Sequence, residues 1–262
     1  MNLGLFYQSG YRIEACYYAL NQFRKFYPEA PVALYEDNTD ILLPVAKKFN
    51  CSYSKTDKQG FNDPNSGRPA FDIETTTGWL DRVYEACTST LKTVDWVMNM
   101  EDDVWFLGKI ETTPPFDLTG IGGRGWQDER LYEYLGTNKR GANGCGGSIF
   151  NRLKFIEAYR NVRNIDWNFI ESIAGDGSPT QWTDSMLTFV FLYSGFTTGS
   201  DNSIVNQFKS TSIHPNSMKE DDIEEAQKEN SDTKVVHCWK PYYRPTDTTK
   251  EQVKNLIKHY EI

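Results

Sequence analysis

At 262 residues with 39% hydrophobic content, the chain is long enough to bury a sizeable core, as one large α/β unit or two small ones. A net charge of −8 and a pI near 5.0 exclude a basic nucleic-acid-binding face, because phosphate binding needs clustered Lys and Arg and none are clustered here. No apolar run reaches membrane-span length, and the five cysteines (Cys16, Cys51, Cys87, Cys145, Cys238) contain no CxxC pair, which argues against a disulfide framework or a zinc site.

The opening Met1 to Tyr7 lacks the charged and long apolar regions of a signal peptide, so a reducing, cytoplasmic setting is expected. Leu3 to Tyr7 predicts a strand, broken at Ser9-Gly10, and Ile13, Cys16, Tyr17, Leu20, Phe23 and Tyr27 then recur at helical spacing. Val32 to Tyr35 predicts a second strand, ending in Glu36-Asp37-Asn38; Leu42 to Phe49 a short helix; Cys51 to Ser54 a third strand. Such alternation predicts right-handed βαβ units and a parallel sheet. Thr56 to Pro69 reads as a surface loop, Leu80, Val83, Tyr84, Cys87 and Leu91 mark an amphipathic helix, and Val94 to Met100 a strand.

That strand runs straight into Glu101-Asp102-Asp103. Three acids at the end of a buried strand repel one another and lose hydration, which a divalent cation would relieve; oxygen ligands favour Mg²⁺ or Mn²⁺. The plainer alternative is an acidic turn facing water. The carboxyl end of a central strand is also where open α/β sheets bind ligands. Beyond Phe106 the chain becomes rich in Gly and Pro. Helical segments are expected near Leu153 to Val162, Trp167 to Ile173 and Met186 to Tyr193. Strands are expected at Ile204 to Phe208 and Lys234 to Val236, separated by a polar stretch from Asn216 to Thr233. A closing helix carries Val253, Leu256, Ile257 and Tyr260 on one side. The many aromatic residues mostly fill the core, and some suit stacking on sugar faces.

Four features stand in the order found in GT-A glycosyltransferases, the nucleotide-sugar-dependent enzymes with one αβα sandwich, and the resemblance covers nearly the whole chain. Glu101-Asp102-Asp103 resembles the family's DxD motif in its EDD form, and Gly144-Cys145-Gly146-Gly147 its glycine-rich acceptor loop. Thr183-Asp184 resembles the end of the xED motif, with Thr183 where the family often has Glu, and His237 resembles the carboxyl-terminal metal histidine. The resemblance implies a single catalytic domain over residues 1–262, with a mostly parallel central sheet. It divides into a nucleotide-binding half (1–106) and a loop-rich acceptor half with the metal and diphosphate segment (107–262).

It also implies roles. Asp103 and His237 would hold Mn²⁺ or Mg²⁺, and Glu101 and Asp102 would organise the ribose or metal-bound water. Asp184 would deprotonate an acceptor hydroxyl in an inverting transfer, with Asp176 of the Gly175-Asp176-Gly177 turn in reserve. Lys240, three residues after His237, would grip the diphosphate. Tyr7 and Asp37, at the ends of the first two strands, suit a nucleoside pocket, and Arg68 and Arg82 could offset diphosphate charge. Gly144, Gly146 and Gly147 would lie against the acceptor.

Each residue also has a structural reading. Asp184 could cap its helix, Asp37 could form a turn, Tyr7 could simply pack, His237 could be a satisfied core residue, and Lys240, Arg68 and Arg82 could be surface charges. The expected activity is transfer of a sugar from a nucleoside diphosphate, UDP being the family's commonest, to a hydroxyl of a carbohydrate acceptor. The alternatives are a nucleotidyltransferase or sugar-nucleotide synthase, disfavoured by Gln8-Ser9-Gly10-Tyr11 where a basic phosphate loop would stand, and a non-catalytic carbohydrate-binding protein of the same fold.

Overall fold

The computed structural model describes residues 1–10, 13–37, 40–56, 73–122, 125–126, 128–139, 141–173, 179, 182–208, 228, 231–238 and 258. The first half alternates strand and helix as its periodicity predicts: β1 (Leu3–Ser9), α1 (Ile13–Phe26), β2 (Val32–Asp37), α2 (Leu43–Lys48), β3 (Ser52–Thr56), α3 (Ile73–Thr88) and β4 (Trp96–Met100). Then follow β5 (Val104–Phe106), β6 (Leu118–Gly120), α4 (Glu129–Leu135), β7 (Ile149–Asn151), α5 (Arg152–Asn161), α6 (Trp167–Ser172), α7 (Thr183–Tyr193), β8 (Thr198–Ser200), β9 (Val205–Phe208) and β10 (Val235–Cys238). The loop expected over Thr56 to Pro69 and the closing helix fall almost wholly outside the described residues.

Seven strands form one sheet in the order β3-β2-β1-β4-β7-β6-β8, and three form a smaller sheet in the order β5-β10-β9. β3, β2, β1 and β4 run parallel, while β7 enters antiparallel beside β4 and pairs antiparallel with β6. The sheet is therefore mostly parallel, as expected, and β7 is its one reversed strand. Only three residues long, β5, β6, β7 and β8 are too short to show a period.

The central strands are buried on both faces, so their apolar residues divide by alternation. Leu5 and Tyr7, Leu34, Met98 and Ile149 join α1 and α2 and the small sheet in one core; Phe6, Ala33, Val97 and Phe150 join α3, α5 and α7 in the other. These two cores make the αβα sandwich. α7 is apolar nearly all round, with Met186, Leu187, Phe189, Val190 and Phe191 fully buried, as a helix inside a core must be.

Candidate metal and nucleotide site

The acidic triplet is the turn by which the chain leaves the large sheet for the small one, closed by the Val104 amide donating to the Glu101 carbonyl at 3.2 Å. β5 then pairs antiparallel with β10 in a register that sets His237 opposite Val104. That pairing carries the imidazole to the acids: His237 Nε2 lies 3.3 Å from Asp103 Oδ1 and 3.8 Å from Glu101 Oε2. One ligand atom from each of Glu101, Asp103 and His237 falls within 4.8 Å of the others. Bonds of about 2.1 Å in an octahedral site would place adjacent ligand atoms about 3 Å and opposite ones about 4 Å apart, so two carboxylates and an imidazole fit Mn²⁺ or Mg²⁺ after small adjustments.

Electrostatics agree with the crowding. Burial pushes the Glu101 carboxyl up, His237 pulls it back and Asp103 raises it again. For His237, burial opposes the charged form, yet Asp103 and the Cys145 thiol outweigh it and push the imidazole well above its ordinary value. The crowded acids thus favour the protonated imidazole when no cation neutralises them.

Asp102 takes no part in that group. Its Oδ1 accepts from the Tyr7 hydroxyl at 2.7 Å and from Ser9 Oγ at 2.6 Å, both at the carboxyl end of β1. Tyr7 is wholly buried, so its ring packs and its hydroxyl serves Asp102. On the opposite face of β1, the Gln8 amide donates to both oxygens of Asp37 at 2.9 and 3.1 Å and accepts from Arg82 Nε at 3.0 Å. Arg82 thereby faces the β1–β2 end of the sheet. Burial lifts Asp37 to about 6 despite help from Gln8 and Arg82.

The glycine loop is buried and packs on protein at every glycine. A Cβ on Gly144 would meet the Asp184 carbonyl at 2.9 Å, and one on Gly146 would meet Val104 at 2.7 Å and Glu101 at 2.9 Å. Gly147 adopts φ +84°, which favours glycine. Asn99, a polar residue inside apolar β4, clamps this loop: its side chain donates to the Gly144 carbonyl at 3.2 Å and its own carbonyl accepts from the Gly147 amide at 2.8 Å.

Gly144 brings the loop against α7, where Asp184 stands in the first turn. The cap residue is Trp182, whose side chain makes no cap bond, and Asp184 follows in the first turn. Asp184 Oδ2 accepts from Asn143 Nδ2 at 2.6 Å and Oδ1 from the Ser185 amide at 2.8 Å. The glycine loop lies against Asp184 and Glu101 alike, Gly144 on the Asp184 backbone and Gly146 on Glu101, so Asp184 is one loop away from the acidic group.

Glu101, Asp103 and His237 therefore converge, with Asp184 across the glycine loop from them, whereas Asp37 and Arg82 gather at the β1–β2 end. Arg68, Asp176 and Lys240 lie outside the described residues. Ser9, Gln8, Asn99, Asn143 and Cys145 are the positions the sequence reading passed over. Polar Gln8 and Asn99 within buried strands were the legible signal for two of them.

No family model matches the sequence, and no curated protein does. Among solved structures, the chain is similar to the galactosyltransferase LgtC, determined in complex with donor and acceptor sugar analogues. The TM-score is 0.50 at 12% identity, over 98% of this chain and 95% of that one. Likeness at that identity is likeness of fold: the chain adopts a GT-A-like α/β architecture along nearly its whole length.

Proposed function

We propose that the chain is a metal-dependent glycosyltransferase that moves a sugar from a nucleoside diphosphate, UDP first among candidates, to a hydroxyl of a carbohydrate acceptor with inversion. The observation that carries this reading is the β10–β5 pairing, which seats His237 against Asp103 and Glu101 at the carboxyl edge of a GT-A-like sheet. Glu101, Asp103 and His237 would hold the ion, with Glu101 a ligand as well as a neighbour of the nucleotide. When bound, a divalent cation there supplies neutralising charge to the departing diphosphate.

The chain's own residues do the rest. Asp37, Gln8 and Arg82 line the end where the nucleoside would lie, and Asp102 stands between that end and the metal group. Asp184, oriented by Asn143, accepts the proton of the acceptor hydroxyl as its oxygen bonds to the anomeric carbon and the bond to the diphosphate breaks. The Cβ positions of Gly144, Gly146 and Gly147 all face protein, so close packing accounts for the three glycines, and their place beside an acceptor rests on the family resemblance. We read residues 1–262 as one catalytic unit, because the small sheet joins β5 of the nucleotide half (1–106) to β9 and β10 of the acceptor half (107–262). No helix among the described residues is long and apolar enough to cross a membrane.

The test is release of nucleoside diphosphate from nucleotide sugars, with and without Mn²⁺, followed by D184N. Metal-dependent release coupled to a new glycoside is expected, lost in D184N while nucleotide binding persists. Full activity in D184N would remove Asp184 as base, and a product of retained anomeric configuration by NMR would overturn inversion.

A further inference from the structure

We propose that Tyr7 and Ser9 are positioning residues that split the acidic triplet into two functions, holding Asp102 for the nucleotide while Glu101 and Asp103 turn to the metal. This rests on the glycosyltransferase reading above. Three consecutive like charges in one turn would, by repulsion alone, splay without preference. Here they divide cleanly. Glu101 and Asp103 converge on His237, whereas Asp102 is drawn to β1 by two short hydroxyl bonds ending on the same oxygen.

The division follows from strand geometry. Side chains at positions two apart share a face, so Tyr7 and Ser9 both reach across to the turn after β4, which β1 adjoins through the pairing of Tyr7 with Met100. Gln8, between them, faces the other way and serves Asp37 and Arg82. The last three residues of β1 thus each hold a polar side chain that belongs to the site. Both hydroxyls are buried donors to a carboxylate, the class of hydrogen bond that fixes geometry most firmly. They set the plane of Asp102 at a point between Asp37 and the metal group, where the sugar ring of a nucleoside diphosphate would lie.

The experiment compares wild type, Y7F, S9A, the double variant and S9T. Mn²⁺ affinity is read without nucleotide by electron paramagnetic resonance, and UDP, GDP, CDP and ADP are titrated calorimetrically in Mn²⁺. The double variant should bind the wild type's preferred nucleotide about tenfold or more weakly with Mn²⁺ affinity held within about twofold, as expected of groups that orient a ligating side chain, and S9T should behave as wild type. Nucleotide affinity unchanged in the double variant, or Mn²⁺ and nucleotide weakening in parallel, would overturn the division of roles. Failure of the wild type to bind any of the four would overturn the glycosyltransferase reading and this inference with it.

Discussion

The ends of β2 and β4 carry the same local pattern, a buried strand running into consecutive acids, and the fold treats them in opposite ways. Glu36 is completely buried and saturated: it accepts from the Ile41 and Leu42 amides at 2.8 and 3.1 Å and from the Tyr53 hydroxyl at 2.6 Å, closing the connection from β2 to α2. Glu101 is placed against Asp103 and His237, with Asp184 near enough to raise its proton affinity further. An acid whose oxygens are matched by donors secures the chain. Acids that face each other across a few ångströms need a counter-charge, and that need is what marks the β4 end as the candidate site.

Substitution should separate the two ends. The largest effect is expected from D103N, which removes the charge closest to His237 and should lower Mn²⁺ affinity and any transfer rate by about 10²- to 10³-fold, the scale of losing one main electrostatic contact. Unaltered Mn²⁺ binding in D103N would strike Asp103 from the metal group. E36A should leave Mn²⁺ binding alone and cost about 2 kcal/mol in urea unfolding, since one buried and two part-buried donors lose a charged acceptor. E101Q should do the reverse, cutting Mn²⁺ affinity while raising the melting temperature of the metal-free protein, because it removes a carboxylate that burial and Asp103 disfavour. A lower melting temperature in E101Q would mean that its charge is needed by the fold.

Asp37 adds a dependence on pH. Burial raises it from 3.8 to about 6, so the folded chain holds this proton more tightly than the unfolded chain. Its contribution to stability is full below about pH 4 and is lost as pH rises through about 6, a change of up to about 3 kcal/mol. Unfolding of wild type and D37N across that range should show the difference, and parallel curves would deny it. The smallest effect is expected from D40N, at an exposed pair with Lys55, which should change stability by no more than about 0.5 kcal/mol.

Much of this was legible along the chain. The apolar periods of β1, α1, β2, α3, β4 and α7 were clear because each element buries a face or a whole surface, and the acids followed β4 where a ligand edge was expected. β9 and β10 were expected as strands, but their union with the short β5 in a separate sheet was not legible, since it pairs segments far apart in sequence. Nor was the reversal of β7, because Ile149 and Phe150 would look the same in either direction.

The amino-acid order by itself determined that an acidic triplet ends a buried strand, that His237 leaves a short apolar one, and that Asp184 opens an apolar helix, because burial and alternation are local properties. Tertiary structure alone decided which acid faces which partner. Side-chain direction in the turn depends on where β5 goes, β5 goes where β10 pairs with it, and β1 supplies the two hydroxyls that draw Asp102 aside. Those contacts span distant parts of the chain, so no window of sequence around Glu101 contains them.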